Sequence, residues 1–174
     1  MKRFTVVSLT ISLLLFGTSA FGAKAGVFSV PEITTAGKGA FYSLEKALPT
    51  GGKDKSLLIS FFATYCEPCK KEIPHLAKLK KELGDTGFDI VLISIDKDEA
   101  KAREAAQLVA DNGTDLKVLW DRFNIVARRY SVEALPHMVW IQGDRTIGES
   151  LVGYDLEKLA GLKKIIGRYH GVSR

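Results

Sequence analysis

Leu57-Leu58-Ile59-Ser60-Phe61-Phe62-Ala63-Thr64-Tyr65-Cys66-Glu67-Pro68-Cys69-Lys70 is the stretch that decides the fold of this 174-residue chain. Its first six residues form an apolar run broken only by Ser60, the pattern of a strand buried on both faces. From Lys70 onward the pattern turns amphipathic. Ile73, Leu76, Leu79 and Leu83 recur at spacings of three and four, and lysines fill the other faces. A helix is predicted there, kinked at Pro74 and ended by Gly84. Cys66 and Cys69 therefore fall where a buried strand hands over to a helix N-terminus. Unpaired N–H groups and partial positive charge at that point favour a thiolate over a thiol. Pro68 suits the first helical turn, having no N–H to lose and a φ already fit for a helix. These are the only two cysteines. A two-residue spacer closes too short a loop to staple a fold, so the pair reads as a reversible redox couple.

Outward from this core, Phe88 to Ile95 forms a second buried strand. Asp96 reads as the N-cap of an Ala-rich helix, with Glu99 completing a capping box, and Asn112-Gly113 stops it. A third strand is predicted at Leu116 to Trp120 and a short helix at Phe123 to Tyr130. Met138 to Ile141 and Thr146 to Val152 flank the turn Gly143-Asp144 as a hairpin. A last helix from Asp155 to about Tyr169 turns Leu156, Leu159, Leu162 and Ile166 toward the core. This alternation implies an α/β sandwich with a mixed sheet. Before it, residues 26 to 52 carry frequent Gly and Pro, with a short strand at Phe41 to Leu44 running into a helical turn.

Residues 1–25 have the form of a secretory signal peptide. Lys2 and Arg3 precede the apolar run Phe4 to Phe16, and Ala20, Ala23 and Ala25 offer small residues for cleavage. The run is short for a membrane span, although an uncleaved anchor is the competing reading. Without Lys2, Arg3 and Lys24 the formal charge falls from +5 to +2. Nothing in that balance calls for nucleic acid or an anionic membrane as partner. Export, to a periplasmic or other extracytoplasmic compartment, is the expectation.

Several separated features converge on one family. Phe62 to Pro74, with the Cys66-Glu67-Pro68-Cys69 motif inside it, resembles the active-site segment of extracytoplasmic thioredoxin-like proteins of the TlpA/ResA type. Tyr65 stands where that family usually has Trp, and Pro74 falls at its helix-kink proline. Tyr130-Ser131-Val132-Glu133-Ala134-Leu135-Pro136 resembles the segment leading to the family's cis-proline, and Gly153 matches a glycine before the last helix. His137 and Ala134 depart from the Thr and Gly common at those places, which bears on partner preference. The resemblance implies a thioredoxin-like fold over 26–174, a central mixed β-sheet flanked by helices, with an N-terminal extension. It further implies a cis Leu135-Pro136 bond lying against the cysteines, where both residues meet substrate. The implied activity is dithiol–disulfide exchange with protein disulfides, apocytochrome c among them, fed by an upstream membrane thiol donor. The expected state is a monomer whose only redox group is the Cys66–Cys69 disulfide, with no further cofactor and no metal.

Within the motif, Cys66 is expected to attack and Cys69 to resolve the mixed disulfide. Glu67 places a carboxylate beside Cys66, which disfavours the thiolate and points to a reductant. Thioredoxin has an acidic residue six positions before its first cysteine; here that position is Ser60. Glu72 matches an acidic residue of the TlpA/ResA-type motif and is the candidate for proton transfer. A rival reading joins Cys66, Cys69 and His137 into a soft-metal set for Cu(I) in a copper assembly factor, although alternation along the strand could turn His137 away. A peroxidase of the peroxiredoxin type needs Pro and Thr ahead of its cysteine, where Ile59 and Ala63 stand.

Overall fold

The computed structural model describes residues 22–49, 52 and 54–172. The apolar run becomes strand β3 (Ser56–Phe62), with every residue buried. Around it a seven-stranded mixed sheet is laid out in the order β2-β1-β5-β4-β3-β6-β7. β3, β4 (Phe88–Ser94) and β5 (Lys117–Trp120) run parallel. β6 (His137–Gln142) and β7 (Ile147–Val152) are antiparallel to their neighbours on one side. β1 (Ser29–Thr34) and β2 (Gly37–Ser43) form a hairpin on the other, β1 antiparallel to β5.

Because side chains alternate along a strand, each central strand feeds two cores. Leu58 and Phe62, with Ile90 and Leu92, face α2 (Glu67–Leu83), α3 (Glu99–Asp111) and α5 (Leu156–Tyr169). Leu57, Ile59 and Phe61, with Val91 and Ile93, face α1 (Leu44–Ala47), α4 (Ile125–Arg129) and the segment around Ala25 and Phe28. This is the thioredoxin-like layering that the sequence suggests, with helices on both faces.

Three local expectations are corrected. α3 starts at Glu99 and its N-cap is Asp98, not Asp96, with no side-chain capping bond. Asp96 is instead buried and faces back toward the loop after β3. Leu156 is exposed, and α5 buries Leu159, Leu162 and Ile166 alone of the four. The region before β3 contains the β1–β2 hairpin, of which only the second strand shows a sequence signature. Pro31 masks the first. It is tolerated because the ladder shifts register between Pro31 and Ile33, so fewer N–H donors are required there.

The expected signal segment lies mostly outside the described residues. Its last part does not stand apart from the domain. Ala25 is buried and donates its N–H to the Arg145 carbonyl, and Ile147 N–H donates to the Ala23 carbonyl. No helix among the described residues is long and apolar enough to cross a membrane.

Candidate active site

β3 ends at Phe62, and a tight turn delivers Cys66 to the tip of α2. The Cys66 N–H donates to the Ala63 carbonyl at 3.1 Å. Cys66 is itself the N-cap of α2, and its sulfur accepts the Cys69 N–H at 3.3 Å. An amide aimed at that sulfur stabilises negative charge on it, as the sequence placement suggests. Cys66 and Cys69 are joined in a disulfide with Cα atoms 5.3 Å apart. Cys66 is 7% exposed and Cys69 1%, so an incoming thiolate or disulfide meets Cys66 first.

Behind the pair lies Glu72, only 1% exposed. It is one turn beyond Cys69, which puts the two side chains on adjacent positions of the helix surface. Its Oε1 accepts the Ser60 hydroxyl at 3.3 Å. Burial pushes its carboxyl up to about 8, against the smaller opposing effect of that hydrogen bond. Ser60 thus occupies the strand position where thioredoxin has its acid, and the acid is supplied from the facing helix. Glu67 behaves differently. It is exposed and bonded to the Lys70 ammonium at 2.6 Å, a contact that holds its carboxyl below the usual range. Its negative charge is opposed by an immediate positive partner.

The Leu135-Pro136 bond is cis. β6 pairs with β3 through Phe61 and His137, so Pro136 sits beside the end of β3, at the edge from which Cys66 emerges. Leu135 packs on the cluster that contains both cysteines. His137, one residue on, faces the other way. Met138 and Trp140 join the cysteine-side core, whereas the His137 ring lies 6.3 Å from Phe61, a residue of the opposite core. Its Nε2 is 2.8 Å from the Ser150 hydroxyl, and burial lowers the pKa of the imidazole. The set of Cys66, Cys69 and His137 is therefore not assembled. Among the described residues no group of three or more His, Cys, Asp or Glu side chains gathers in metal-binding geometry.

Sequence reasoning missed the clamp on the active-site turn. The Asp96 carboxylate accepts the Thr64 N–H at 3.1 Å, the Thr64 hydroxyl at 2.9 Å and the Ser94 hydroxyl at 2.9 Å. Its backbone carbonyl accepts Trp120 Nε1–H at 2.7 Å. One residue thereby ties together the ends of β3, β4 and β5, two residues from Cys66. The separation of 32 residues between Thr64 and Asp96 leaves no local signal of this in the sequence.

A disulfide at a helix tip, a cis-proline on the neighbouring strand and a buried acid behind them define a thioredoxin-like dithiol–disulfide site. The chain belongs to the AhpC/TSA family, whose model matches residues 21–150. It is similar to the thiol-disulfide oxidoreductase ResA of Bacillus anthracis, at 29% identity over 94% of this chain and 98% of that one. The ResA of Bacillus subtilis strain 168 is 26% identical over 62% of this chain and 58% of its own length. Among solved structures, a protein from Chlorobium tepidum described as a thiol:disulfide interchange protein DsbE superposes with a TM-score of 0.73 at 21% identity, covering 86% of this chain and 97% of that one. The thioredoxin domain of a thiol-disulfide oxidoreductase from Bacteroides vulgatus gives 0.65 at 22%, covering 83% and 98%. The protein is a thiol–disulfide oxidoreductase that works by dithiol–disulfide exchange.

Proposed function

We propose that this oxidoreductase is exported and acts as a reductase of protein disulfides, in cytochrome c maturation or a related delivery of thiols, with electrons supplied by a membrane thiol donor. The observation that carries the direction is the buried carboxyl of Glu72 behind the dithiol. Once Glu72 has passed its proton to Cys69 as the disulfide opens, its carboxylate is left buried behind the dithiol. Negative charge there disfavours the Cys66 thiolate and so the reduced form. A reduced form so destabilised gives up its electrons more readily, by roughly 30 mV for each tenfold change in equilibrium constant. Glu67 adds little to this bias, because Lys70 opposes its charge and water surrounds it.

The exchange then balances as follows. The Cys66 thiolate attacks one sulfur of the client disulfide, forming a mixed disulfide and expelling one client thiolate. Glu72 takes the Cys69 proton, and the Cys69 thiolate attacks Cys66. The client leaves as a dithiol, with two electrons transferred and the Cys66–Cys69 disulfide restored. When the donor attacks Cys66 in the next half-cycle, Glu72 is protonated below about pH 8 and returns the proton to departing Cys69. Leu135 and Pro136 form the wall against which the client backbone lies. Cys69→Ala tests the roles: it should accumulate mixed disulfides through Cys66 when the reduced protein meets an extracytoplasmic extract. Recovery of clients through any other residue would overturn the assignment.

A further inference from the structure

A second feature on the same sheet edge is not used by the exchange chemistry. Beside the β1–β2 hairpin and the start of α4 lies a groove of about 550 Å³ floored by Phe28, Val30 and Trp120. Its rim is apolar and open: Phe41 is 66% exposed, Phe123 65% and Ile125 50%. Apolar exposure concentrated in this way marks a docking surface rather than scattered surface residues.

The groove is also basic. Lys38, Arg122 and Arg129 line it, and its one acid, Asp121, is buried, with both carboxylate oxygens taken by the N–H groups of Ile125 and Ala127. Lys38 pairs with Glu99. Arg122 has no carboxylate partner among the described residues and lies over the Trp120 and Phe123 rings, at 5.8 and 5.1 Å. Arg129 is held by the Val27 carbonyl. The Arg122 guanidinium thus stands over aromatic surface with no acid to match it, and Arg129 adds a second positive charge to the lining.

Position links the groove to the dithiol. β3, β4 and β5 are parallel, so the turn carrying Cys66 and the loop 121–124 emerge at one edge of the sheet. A second cleft lies between them, lined by Thr64, Tyr65 and Asn124 together with the charged residues Asp96, Lys97, Asp98 and Lys101, and the neighbours of Asn124 on either side line the groove. Two to three strand spacings separate the groove from Cys66, about 10–15 Å, or three to five residues of extended chain.

We propose that this groove docks the flank of the client: an extended peptide segment bearing an acidic and an aromatic residue three to five positions from the cysteine under attack. The inference rests on the reading of the protein as a reductase of protein disulfides. Tyr65, 72% exposed beside Cys66, adds aromatic surface at the disulfide end of this path.

Single-turnover reduction by dithiothreitol-reduced, desalted full-length protein tests it. Three disulfides are compared: a peptide with Asp and Phe four residues from its cysteine, the same peptide with Lys and Ser there, and uncharged bis(2-hydroxyethyl) disulfide. The wild type should reduce the Asp/Phe peptide at least tenfold faster than the Lys/Ser peptide, with the advantage shrinking as salt is raised. Arg122→Glu combined with Phe123→Ser, and the milder Arg122→Ala, should lose most of that advantage through weaker half-saturation. Both should reduce the hydroxyethyl disulfide within twofold of wild type. Equal rates for the two peptides, or a parallel loss on peptide and hydroxyethyl disulfide, would overturn the docking site. Failure of the wild type to reduce even the hydroxyethyl disulfide would instead remove the reductase reading on which it stands.

Discussion

Glu72 is where one side chain changes both stability and chemistry. Its carboxyl titrates near 8 in the folded protein against about 4.5 in the unfolded chain. Below pH 4.5 both states hold the proton and the group has no effect on stability. Between 4.5 and 8 the unfolded chain releases it while the fold keeps it, so stability falls as pH rises, by on the order of 5 kcal/mol in total. Urea unfolding of Glu72→Gln at pH 5 and pH 8 should show a variant close to wild type at the lower pH and more stable at the higher. An identical pH dependence in both proteins would show that Glu72 is not the group being titrated. The same substitution should slow exchange, since an amide cannot shuttle the Cys69 proton. The motif showed Glu72 as a candidate through its match to a family, but not its burial. That depends on Ser60 and on the packing of α2 over β3, which the helix sequence alone does not reveal.

The strands and helices were legible where periodicity was strong. β3, β4, α2 and α5 announce themselves by continuous or 3.6-spaced apolar residues, to within a residue or two at their ends. What was not legible is how the strand ends are joined. Asp96 has the spacing of a capping box with Glu99, and local pattern favours that reading. Tertiary partners win because Thr64 and Ser94 present three donors to a buried carboxylate, whereas Asp98 can open the helix without a side-chain bond. Asp96→Ala would leave those donors unsatisfied in the interior. Loss of roughly 2–4 kcal/mol in urea unfolding is expected, together with slower disulfide exchange at temperatures where the variant remains folded. A loss below 0.5 kcal/mol would mean the turn holds its shape without the clamp.

At the scale of the whole molecule, two parts of the architecture needed contacts distant in sequence. β1 was hidden because its pairing with β5 joins residues nearly ninety positions apart, through Glu32 and Leu119. The sequence pattern puts the start of the domain near residue 26, yet Lys24 reaches across to Asp144 at 3.1 Å and Ala23 and Ala25 bond the β6–β7 turn region. Cleavage after Ala25 would discard those contacts, and cleavage after Ala20 would keep them. If the chain is exported and cleaved as proposed, the intact mass of the mature form is expected to correspond to an N-terminus ahead of Ala23. A mass starting at Gly26 would show that the strap is dispensable.

The most direct test of the dithiol itself is redox titration of the full-length protein in a dithiothreitol buffer series, quenched by alkylation and read by mass. The two cysteines should take up alkyl groups together, in one two-electron transition, with a midpoint on the reducing side of the glutathione couple. Cysteines that stay blocked under full reduction, or that titrate independently of each other, would contradict a reversible Cys66–Cys69 couple.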